Sequence, residues 1–293
     1  MSLKQILDGF YAGYDFGGRM NLDPIAFPKQ YRDPLDIEAA AFIAASFAYG
    51  RIDLFRPVVD RILGMMGPHP AGFLLEYDCR AGLRLLNGLS YRFNRTEDIA
   101  AFLESLHQAY RTHGSLESLF ASFDRSDEPT IESGLTALMA ALAAADTSGV
   151  YGNRQKPAGL LQLFPSPQWG GACKRPNLFL RWMVRDRDID FGIWKGVAKN
   201  RLVIPLDTHI ARIARCLGLT KRKSDGWRTA VEITSALRRF DPDDPLKYDF
   251  ALCHHGISGA CSGRKGEGCG ACAFLGEKAK GPGHKVSGCS RSR

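Results

Sequence analysis

One segment near the N-terminus, residues 37–49, limits the possible folds of this chain more than any other. It reads Ile-Glu-Ala-Ala-Ala-Phe-Ile-Ala-Ala-Ser-Phe-Ala-Tyr, so it is rich in alanine and apolar on nearly every face. Alanine is the strongest helix former, and a helix that is apolar all round is a buried one. Asp36 is the predicted N-cap, and Gly50 ends the segment. We therefore expect a buried central helix in the N-terminal part.

The remaining chain also predicts helices. Apolar residues recur with helical spacing between boundaries of Gly, Asn, Asp or Pro. These segments are residues 2–14, 54–66, 70–75, 97–110, 115–123 and 131–145. Because convincing period-2 alternation is absent, we expect an all-α fold. A stretch rich in glycine and proline at residues 147–169 marks the predicted boundary between a helical lobe at 1–150 and a second at 151–256, with a Cys-rich basic tail at 257–293.

The net charge of +8 is distributed unevenly. Residues 1–150 carry 13 Lys and Arg against 19 Asp and Glu, and residues 151–293 carry 26 against 12, so the two parts have charges of −6 and +14. Neutralisation of phosphates by Lys and Arg is the usual source of non-specific nucleic-acid affinity. The basic second part therefore predicts a polyanionic partner, with a merely soluble basic surface as the alternative.

The sequence also bears on location. Its apolar runs fall short of the roughly 18 residues needed to cross a bilayer, and the N-terminus, Met-Ser-Leu-Lys-Gln-Ile-Leu-Asp, lacks the unbroken apolar region of a signal peptide. We expect a cytoplasmic, nucleoid-associated monomer without a membrane partner.

Two short runs carry the candidate chemistry. The first, residues 170–185, begins Gly-Gly-Ala-Cys-Lys-Arg-Pro. A proline is favoured in the first turn of a helix, so Pro176 places Lys174 at a helix start. Arg181 and Arg185 are four residues apart on a face separate from the apolar stripe, so we expect them to face outward or toward a ligand.

In the second run, residues 204–215, Asp207 precedes an apolar-periodic segment that Gly218 closes. This is the pattern of a helix N-cap followed by a C-terminal glycine, and a cap alone would explain the aspartate. The alternative is catalytic. A partly desolvated lysine amine can be neutral enough to attack a sugar C1′ and form a Schiff base, and a nearby carboxylate can stabilise an oxocarbenium-like centre.

The segment between the runs, residues 186–203, is an insertion that we expect to be an exposed, solvated loop. It contains Lys195, Lys199 and Arg201, which could alternatively reach a phosphate backbone.

Both runs resemble parts of the helix-hairpin-helix DNA glycosylase superfamily. The pattern Leu-Asp-Thr-His-Ile-x-Arg-Ile-x-x-x-Leu-Gly-Leu at residues 206–219 resembles the helix after the hairpin, and Gly-Gly-Ala-Cys-Lys-Arg lies where that family has its hairpin and Schiff-base lysine. The resemblance implies a two-lobed helical glycosylase-like fold with a helix-hairpin-helix element. It also implies that Lys174 is the nucleophile and Asp207 the catalytic aspartate.

The spacing refines the resemblance. Lys174 and Asp207 are 33 residues apart, which looks more like the archaeal 8-oxoguanine glycosylase branch than the bacterial endonuclease branch. The run Cys-Lys-Arg-x-Asn-Leu-Phe-Leu-Arg-Trp-Met-Val-Arg at residues 173–185 is also similar to an uncharacterised prokaryotic family.

By this resemblance the partner is duplex DNA with a damaged base. The implied DNA-contacting residues are Gly170, Gly171, Arg175, Arg181, Arg185 and His209. Trp169 and Asp249 are candidates for the base pocket, although a structural cap would equally explain Asp249. The family's first core helix usually ends in a glutamine that fills the gap left by an extruded base, but residues 47–49 here are Phe-Ala-Tyr.

Five of the eight cysteines lie from Cys253 onward. His-Gly at 255–256 followed by Cys261, Cys269 and Cys272 resembles the iron–sulfur loop of the endonuclease branch, with Cys289 as the fourth cysteine. Four thiolates suit a [4Fe–4S] cluster, and a tetrahedral zinc could take the first three with Cys289 or His255. The alternative is a loop that has lost its metal. We expect no other cofactor.

Three functions follow from these patterns. The first is a base-excision DNA glycosylase, with or without lyase activity. The second is a non-catalytic nucleic-acid-binding protein with the same fold, which the missing glutamine favours. The third is a metal-binding regulatory protein unrelated to nucleic acid, which rests on the cysteines alone.

Overall fold

The described part of the chain is built from helices. The computed structural model describes residues 1–259 together with Cys261, Cys272 and Phe274, and within them β-structure is limited to two isolated bridges. The all-α prediction is therefore confirmed. The α-helices are α1 (Leu3–Ala12), α2 (Phe16–Met20), α3 (Pro34–Phe47), α4 (Ile52–Met66), α5 (Pro70–Leu75), α6 (Cys79–Leu85), α7 (Thr96–His113), α8 (Leu116–Ala121), α9 (Glu132–Ala144), α10 (Ser148–Tyr151), α11 (Ala158–Leu161), α12 (Lys174–Val184), α13 (Thr208–Cys216), α14 (Trp227–Arg238) and α15 (Asp249–Ile257).

The alanine-rich segment forms α3, which is buried from Asp36 to Phe47, as predicted. Its N-cap is Asp33 rather than Asp36, because the Asp33 carboxylate accepts hydrogen bonds from the backbone N–H groups of Leu35 and Asp36. Asp36 lies inside the first turn. Its own carboxylate accepts a hydrogen bond of 2.9 Å from the backbone N–H of Ala71 and thereby ties α3 to α5.

Most other predicted helices are present with small shifts of their ends. The helix at residues 70–75 has the predicted bounds, and Gly67, with φ of +71°, ends α4 as expected. Four helices were not predicted because they are short and lack a long apolar periodicity: α2, α6, α10 and α11.

The segment 186–203 packs into the core, so the expectation of an exposed loop is wrong. Trp194 is buried, and its indole N–H donates to the Glu38 carboxylate at 2.7 Å. The same buried carboxylate accepts hydrogen bonds from the Tyr110 hydroxyl and from the backbone N–H groups of Leu116 and Glu117. Glu38 therefore joins α3, α7 and α8 to the segment.

The cations of this segment have different environments. Arg201 is buried, and its guanidinium binds the Asp124 carboxylate and the Glu128 carbonyl oxygen, so it is not placed to reach a phosphate backbone. Lys199 pairs with Asp186 at 2.9 Å. Lys195 is exposed.

Two helix contacts position the candidate site. Helix α12 packs along α3, where the Phe42 and Phe179 rings meet edge to face with centroids 5.1 Å apart. Helix α13 packs against α15. A Cβ added at Gly256 would lie 2.7 Å from the Cβ of His209, so glycine is required for this close approach. None of the described helices has the length and apolar character needed to span a membrane.

Candidate active site

The chain makes a tight turn just before Lys174. Gly170 adopts φ of +75° and Cys173 φ of +49°, so both lie in the left-handed region. Gly171 pairs with Gly226 in an isolated bridge, and the Gly170 carbonyl oxygen accepts a hydrogen bond of 3.0 Å from the backbone N–H of Trp227. Lys174 is then the first residue of α12, as predicted from the position of Pro176.

Asp207 is both a helix cap and a partner of Lys174. One carboxylate oxygen, Oδ1, accepts hydrogen bonds from the backbone N–H groups of His209 and Ile210, each at 2.9 Å. The other oxygen, Oδ2, lies 2.9 Å from the Lys174 Nζ. The predicted cap is confirmed, and the cap leaves one oxygen free to hold the lysine. The two interpretations of Asp207 are therefore compatible within one side chain.

The pair shifts the titration of both groups. Burial lowers the pKa of Lys174, but the charge of Asp207 outweighs it, so the pKa lies above its ordinary value. Burial raises the pKa of Asp207, but the Lys174 ammonium and the Ile210 N–H outweigh it, so this pKa is lowered. Both groups are ionised near neutral pH. Lys174 must therefore lose a proton before its amine can attack a carbon atom.

The pair lies in the wall of a cavity of about 390 Å³. This volume falls in the range of small-molecule pockets, roughly 300–1,000 Å³. One wall comes from the N-terminal part of the chain and the other from α12, α13 and α15. The lining residues are Leu22, Asp23, Pro24, Ala48, Gly50, Arg51, Ile52, Asp53, Phe55, Lys174, Leu178, Arg181, Pro205, Asp207, His209, Asp249, Phe250, Cys253, His254 and Ile257.

Asp249 supplies a second carboxylate to this cavity. It is the first residue of α15 and is buried, and its Oδ2 accepts a hydrogen bond of 2.5 Å from the Arg181 guanidinium. Its other oxygen, Oδ1, is buried and has no hydrogen-bond partner within the described chain. Burial raises the pKa of Asp249 despite the neighbouring arginine. A buried polar atom without a partner is costly, so Oδ1 is suited to a ligand that enters the cavity.

Cys253 follows Asp249 by one helical turn and faces Asp207. Its Sγ lies 3.6 Å from the Asp207 Oδ2. Burial and the Asp207 charge raise the pKa of this thiol well above its ordinary value, so it stays protonated. Across the cavity the His254 Nε2 lies 3.0 Å from the Asp23 Oδ2, and the His254 ring packs on Phe250.

The predicted DNA-contacting glycines and His209 are accessible. Gly170 and Gly171 are exposed, and His209 lines the cavity. Arg175, in contrast, is bound within the protein. Its guanidinium donates to the carbonyl oxygens of Ser46 and Gln162, which ties the start of α12 to the end of α3.

Arg181 and Arg185 are buried, so the expectation that they contact DNA is wrong. Arg185 donates to Asp244 at 2.9 Å and to Asp188 at 3.1 Å, and it also binds Asp190. Arg181 lines the cavity but is held by Asp249 and Asp190. Isolated buried charges are unfavourable, and these carboxylates compensate the two arginines.

Trp169 does not belong to the cavity. Its side chain is 61% exposed on the turn before Gly170, which contradicts its predicted place in a base pocket. Trp182, in contrast, is fully buried. Two further cavity residues, Asp23 and His254, were not predicted from the sequence. Asp23 and His254 are more than 200 residues apart in sequence, so no local sequence pattern indicates that they pair.

The predicted metal ligands lie only partly within the described chain. Cys269 and Cys289 are outside the described residues, whereas Cys261 and Cys272 pack at the edge of the core. The described residues contain no cluster of three or more His, Cys, Asp or Glu side chains that could hold a metal. Four thiolates would suit a cluster chemically, and the metal site stays a prediction.

Comparison with known proteins adds a family. A family model described as "Protein of unknown function (DUF2400)" matches residues 23–258. The chain belongs to this family. The DUF2400 match contains every cavity-lining residue except Leu22. No match is found among curated proteins or among solved structures.

Proposed function

We propose that this DUF2400 protein is a DNA glycosylase that removes a damaged base, with Lys174 as the amine that bonds to the sugar. The observation that carries the proposal is the contact of 2.9 Å between the Lys174 Nζ and the Asp207 Oδ2 in the wall of a cavity of about 390 Å³. A paired lysine and carboxylate in a concave site is an arrangement suited to covalent catalysis at C1′.

The protonation states of Lys174 and Asp207 suggest the order of the chemical steps. Lys174 starts as an ammonium because the carboxylate raises its pKa. The C1′–N glycosidic bond breaks, its electron pair goes to the base, and the ammonium gives the base a proton. Asp207 meanwhile stabilises the positive charge that develops at C1′. Lys174 is then a neutral amine next to an electrophilic carbon.

Attack by the Lys174 amine on C1′ completes the replacement of the base by the lysine. The lone pair of Nζ forms a bond to C1′, and the nitrogen passes a proton to Asp207. Opening of the sugar ring moves the C1′–O4′ electron pair to O4′, which takes the proton from Asp207. The product is an iminium between Lys174 and the sugar. Lyase activity would proceed from this intermediate.

Asp249 is proposed to recognise the extruded base. Enzymes that act on a base in duplex DNA turn it out of the stack into a pocket and recognise it by hydrogen bonds and stacking. The partnerless Oδ1 could accept an N–H of the base, or donate to it when protonated. The Phe250 ring, also in the cavity wall, provides an apolar surface.

The DNA would lie across the exposed turn at Gly170 and Gly171, where backbone groups can approach phosphates closely. The charge of +14 on residues 151–293 favours such a polyanion. We also propose that this turn belongs to a helix-hairpin-helix element, that two helical lobes enclose the cavity, and that the protein is cytoplasmic.

Trapping of the iminium by borohydride tests the proposal. Parent protein, Lys174→Gln and Lys195→Gln are incubated with a panel of lesion-bearing duplexes and with an abasic-site duplex. We expect covalent complexes with the parent and with Lys195→Gln, whose exposed side chain lies outside the cavity. Lys174→Gln should give at most about 1% of the parent's complex.

Two results would contradict the proposal. Undiminished trapping in Lys174→Gln would assign the amine to another lysine. Absence of trapping in the parent, combined with salt-dependent binding to plain duplex DNA, would favour the non-catalytic nucleic-acid-binding protein instead.

A further inference from the structure

A four-residue turn, Tyr91–Asn94, projects an aromatic side chain next to the cavity. The backbone N–H of Tyr91 donates to the Asn94 carbonyl oxygen at 2.9 Å, and the Asn94 N–H donates to the Tyr91 carbonyl oxygen at 2.8 Å. Arg92 adopts φ of +53°, which is rare for a residue with a side chain. At the tip, Phe93 is 68% exposed. The turn therefore exposes the apolar ring of Phe93 to solvent.

The turn is fixed to the protein on its inner side. The Asn94 side chain accepts a hydrogen bond of 3.2 Å from the Gln162 amide and donates one of 2.6 Å to the Gly159 carbonyl oxygen. The Tyr49 hydroxyl also donates to Asn94, and the Tyr91 hydroxyl donates to the Tyr49 carbonyl oxygen. These contacts attach the turn to the end of α3, so Phe93 is displayed on a rigid support.

The turn also borders the cavity wall. A Cβ added at Gly50, which lines the cavity, would lie 2.8 Å from the Arg92 Nη1 and 2.9 Å from the Tyr91 hydroxyl oxygen. Because Gly50 has φ of +82°, this position also favours glycine on conformational grounds. Arg92 is exposed and places a cation beside Phe93 on this turn, whereas Arg51 in the cavity wall is paired with Asp53 at 2.8 Å.

We propose that Phe93 inserts into the DNA base stack beside the nucleotide that enters the cavity, with Arg92 on the adjacent phosphate. This inference rests on the proposed function. Extrusion of a nucleotide uncovers the faces of its neighbours, and a planar apolar ring covers such a face well. Phe93 would thereby take the place of the gap-filling glutamine that residues 47–49 do not contain.

The buried neighbours cannot serve in this way. Phe47 and Ala48 are buried, and the Tyr49 hydroxyl is engaged with Asn94. Phe93, in contrast, is 68% exposed, on the turn that packs next to Gly50 in the cavity wall.

The test measures affinity for two duplexes by fluorescence anisotropy. One duplex carries a tetrahydrofuran abasic-site analogue, which leaves a gap in the stack, and the other is intact. Phe93→Ala should bind the gapped duplex about tenfold more weakly than the parent, since base–aromatic stacking contributes about 1–3 kcal/mol and 1.4 kcal/mol corresponds to tenfold. Its affinity for the intact duplex should change by less than about twofold, because no gap is present to fill.

Two variants serve as controls. Phe123→Ala removes a ring that is 42% exposed just after α8, a helix that contributes no residue to the cavity wall, and it should bind both duplexes like the parent. Phe93→Trp keeps a planar ring and should restore affinity for the gapped duplex. Phe93→Ala should melt like the parent because the ring is exposed.

Failure of the inference differs from failure of the proposed function. If the parent binds the gapped duplex and Phe93→Ala binds it equally well, the insertion is refuted while the glycosylase proposal stands. Equal weakening on both duplexes would make Phe93 a general surface contact and would also refute insertion. A parent that binds neither duplex would overturn the proposed function and this inference together.

Discussion

Asp207→Asn separates the cap from the charge that faces Lys174. Asparagine keeps the shape of aspartate, and its carbonyl oxygen can accept the hydrogen bonds from His209 and Ile210 that Oδ1 accepts now. Its amide group would face the lysine in place of Oδ2. The substitution therefore removes the ion pair and leaves the helix start in place.

The expected loss of stability is small. Coulomb's law at 2.9 Å gives roughly 6 kcal/mol for an effective dielectric constant of about 20. Desolvation and side-chain ordering offset most of this attraction, and the Lys174 side chain is 35% exposed, so it can turn toward water when its partner is removed. We expect a net loss of about 1 kcal/mol and a melting temperature about 2 °C lower. Asp207→Ala should lose about 1 kcal/mol more, because the cap is lost as well.

The pH dependence of this loss follows from the two shifts. The folded-state pKa of Asp207 is lowered from 3.8, so its contribution is present above that pH and is lost as pH falls through the folded-state value. The folded-state pKa of Lys174 is raised from 10.5, so its contribution is present below that pH and is lost as pH rises through the folded-state value. The stability difference between parent and variant should therefore be constant across neutral pH.

The expected loss of activity is large. Without the carboxylate, the developing charge at C1′ loses its stabilising partner, and a positioned acid–base group contributes about 100- to 10,000-fold.

The assay compares single-turnover base removal from lesion-bearing duplexes by the parent, Asp207→Asn and Asp207→Ala, with thermal unfolding of each protein beside it. We expect Asp207→Asn to be at least about 100-fold slower at nearly unchanged stability. Unchanged rates in Asp207→Asn together with a destabilised Asp207→Ala would refute the reasoning, since Asp207 would then be a helix cap only.

Two further variants test other parts of the site and fold. Asp249→Asn should reduce base removal at least about tenfold while trapping on an abasic site, where no base is to be recognised, stays within about twofold of the parent; equal losses in both assays would refute a role in base recognition. The Glu38 carboxylate accepts four hydrogen bonds, two on each oxygen. In Glu38→Gln an NH₂ group replaces one of these oxygens and faces hydrogen-bond donors, so the free energy of unfolding measured in urea should fall by roughly 2–5 kcal/mol. Since burial raises the pKa of Glu38 above 4.5, the parent's stability should fall as pH rises through the interval between 4.5 and the folded-state pKa, and Glu38→Gln should remove this slope. A loss below about 1 kcal/mol would contradict the role assigned to Glu38.

Local sequence patterns were enough to predict the structure around Lys174 and Asp207. Pro176 in the first turn placed Lys174 at the start of α12, and the pattern from Asp207 to Gly218 predicted the cap and the end of α13. Residues 37–49 had no polar face, so α3 had to be buried. These features depend on neighbours within a few residues, which is the distance over which caps and helical periodicity act. The N-cap of α3 was predicted at Asp36 instead of Asp33 because local patterns do not distinguish the two: both are followed by apolar residues, and each could begin the helix.

The packing of distant segments determines which charged side chains pair inside the protein and which face the cavity. The spacing of Arg181 and Arg185 predicted that they face outward or toward a ligand. Asp190, Asp244 and Asp249 from other segments instead pair with them inside the protein, and Arg181 alone of the two also lines the cavity. Likewise, residues 186–203 pack against the core, where Trp194 donates a hydrogen bond to Glu38, a residue 156 positions away in sequence. Whether a charged side chain meets water, a counter-ion or a ligand depends on the sum of desolvation and long-range pairing, and that sum exists only once distant elements have packed together.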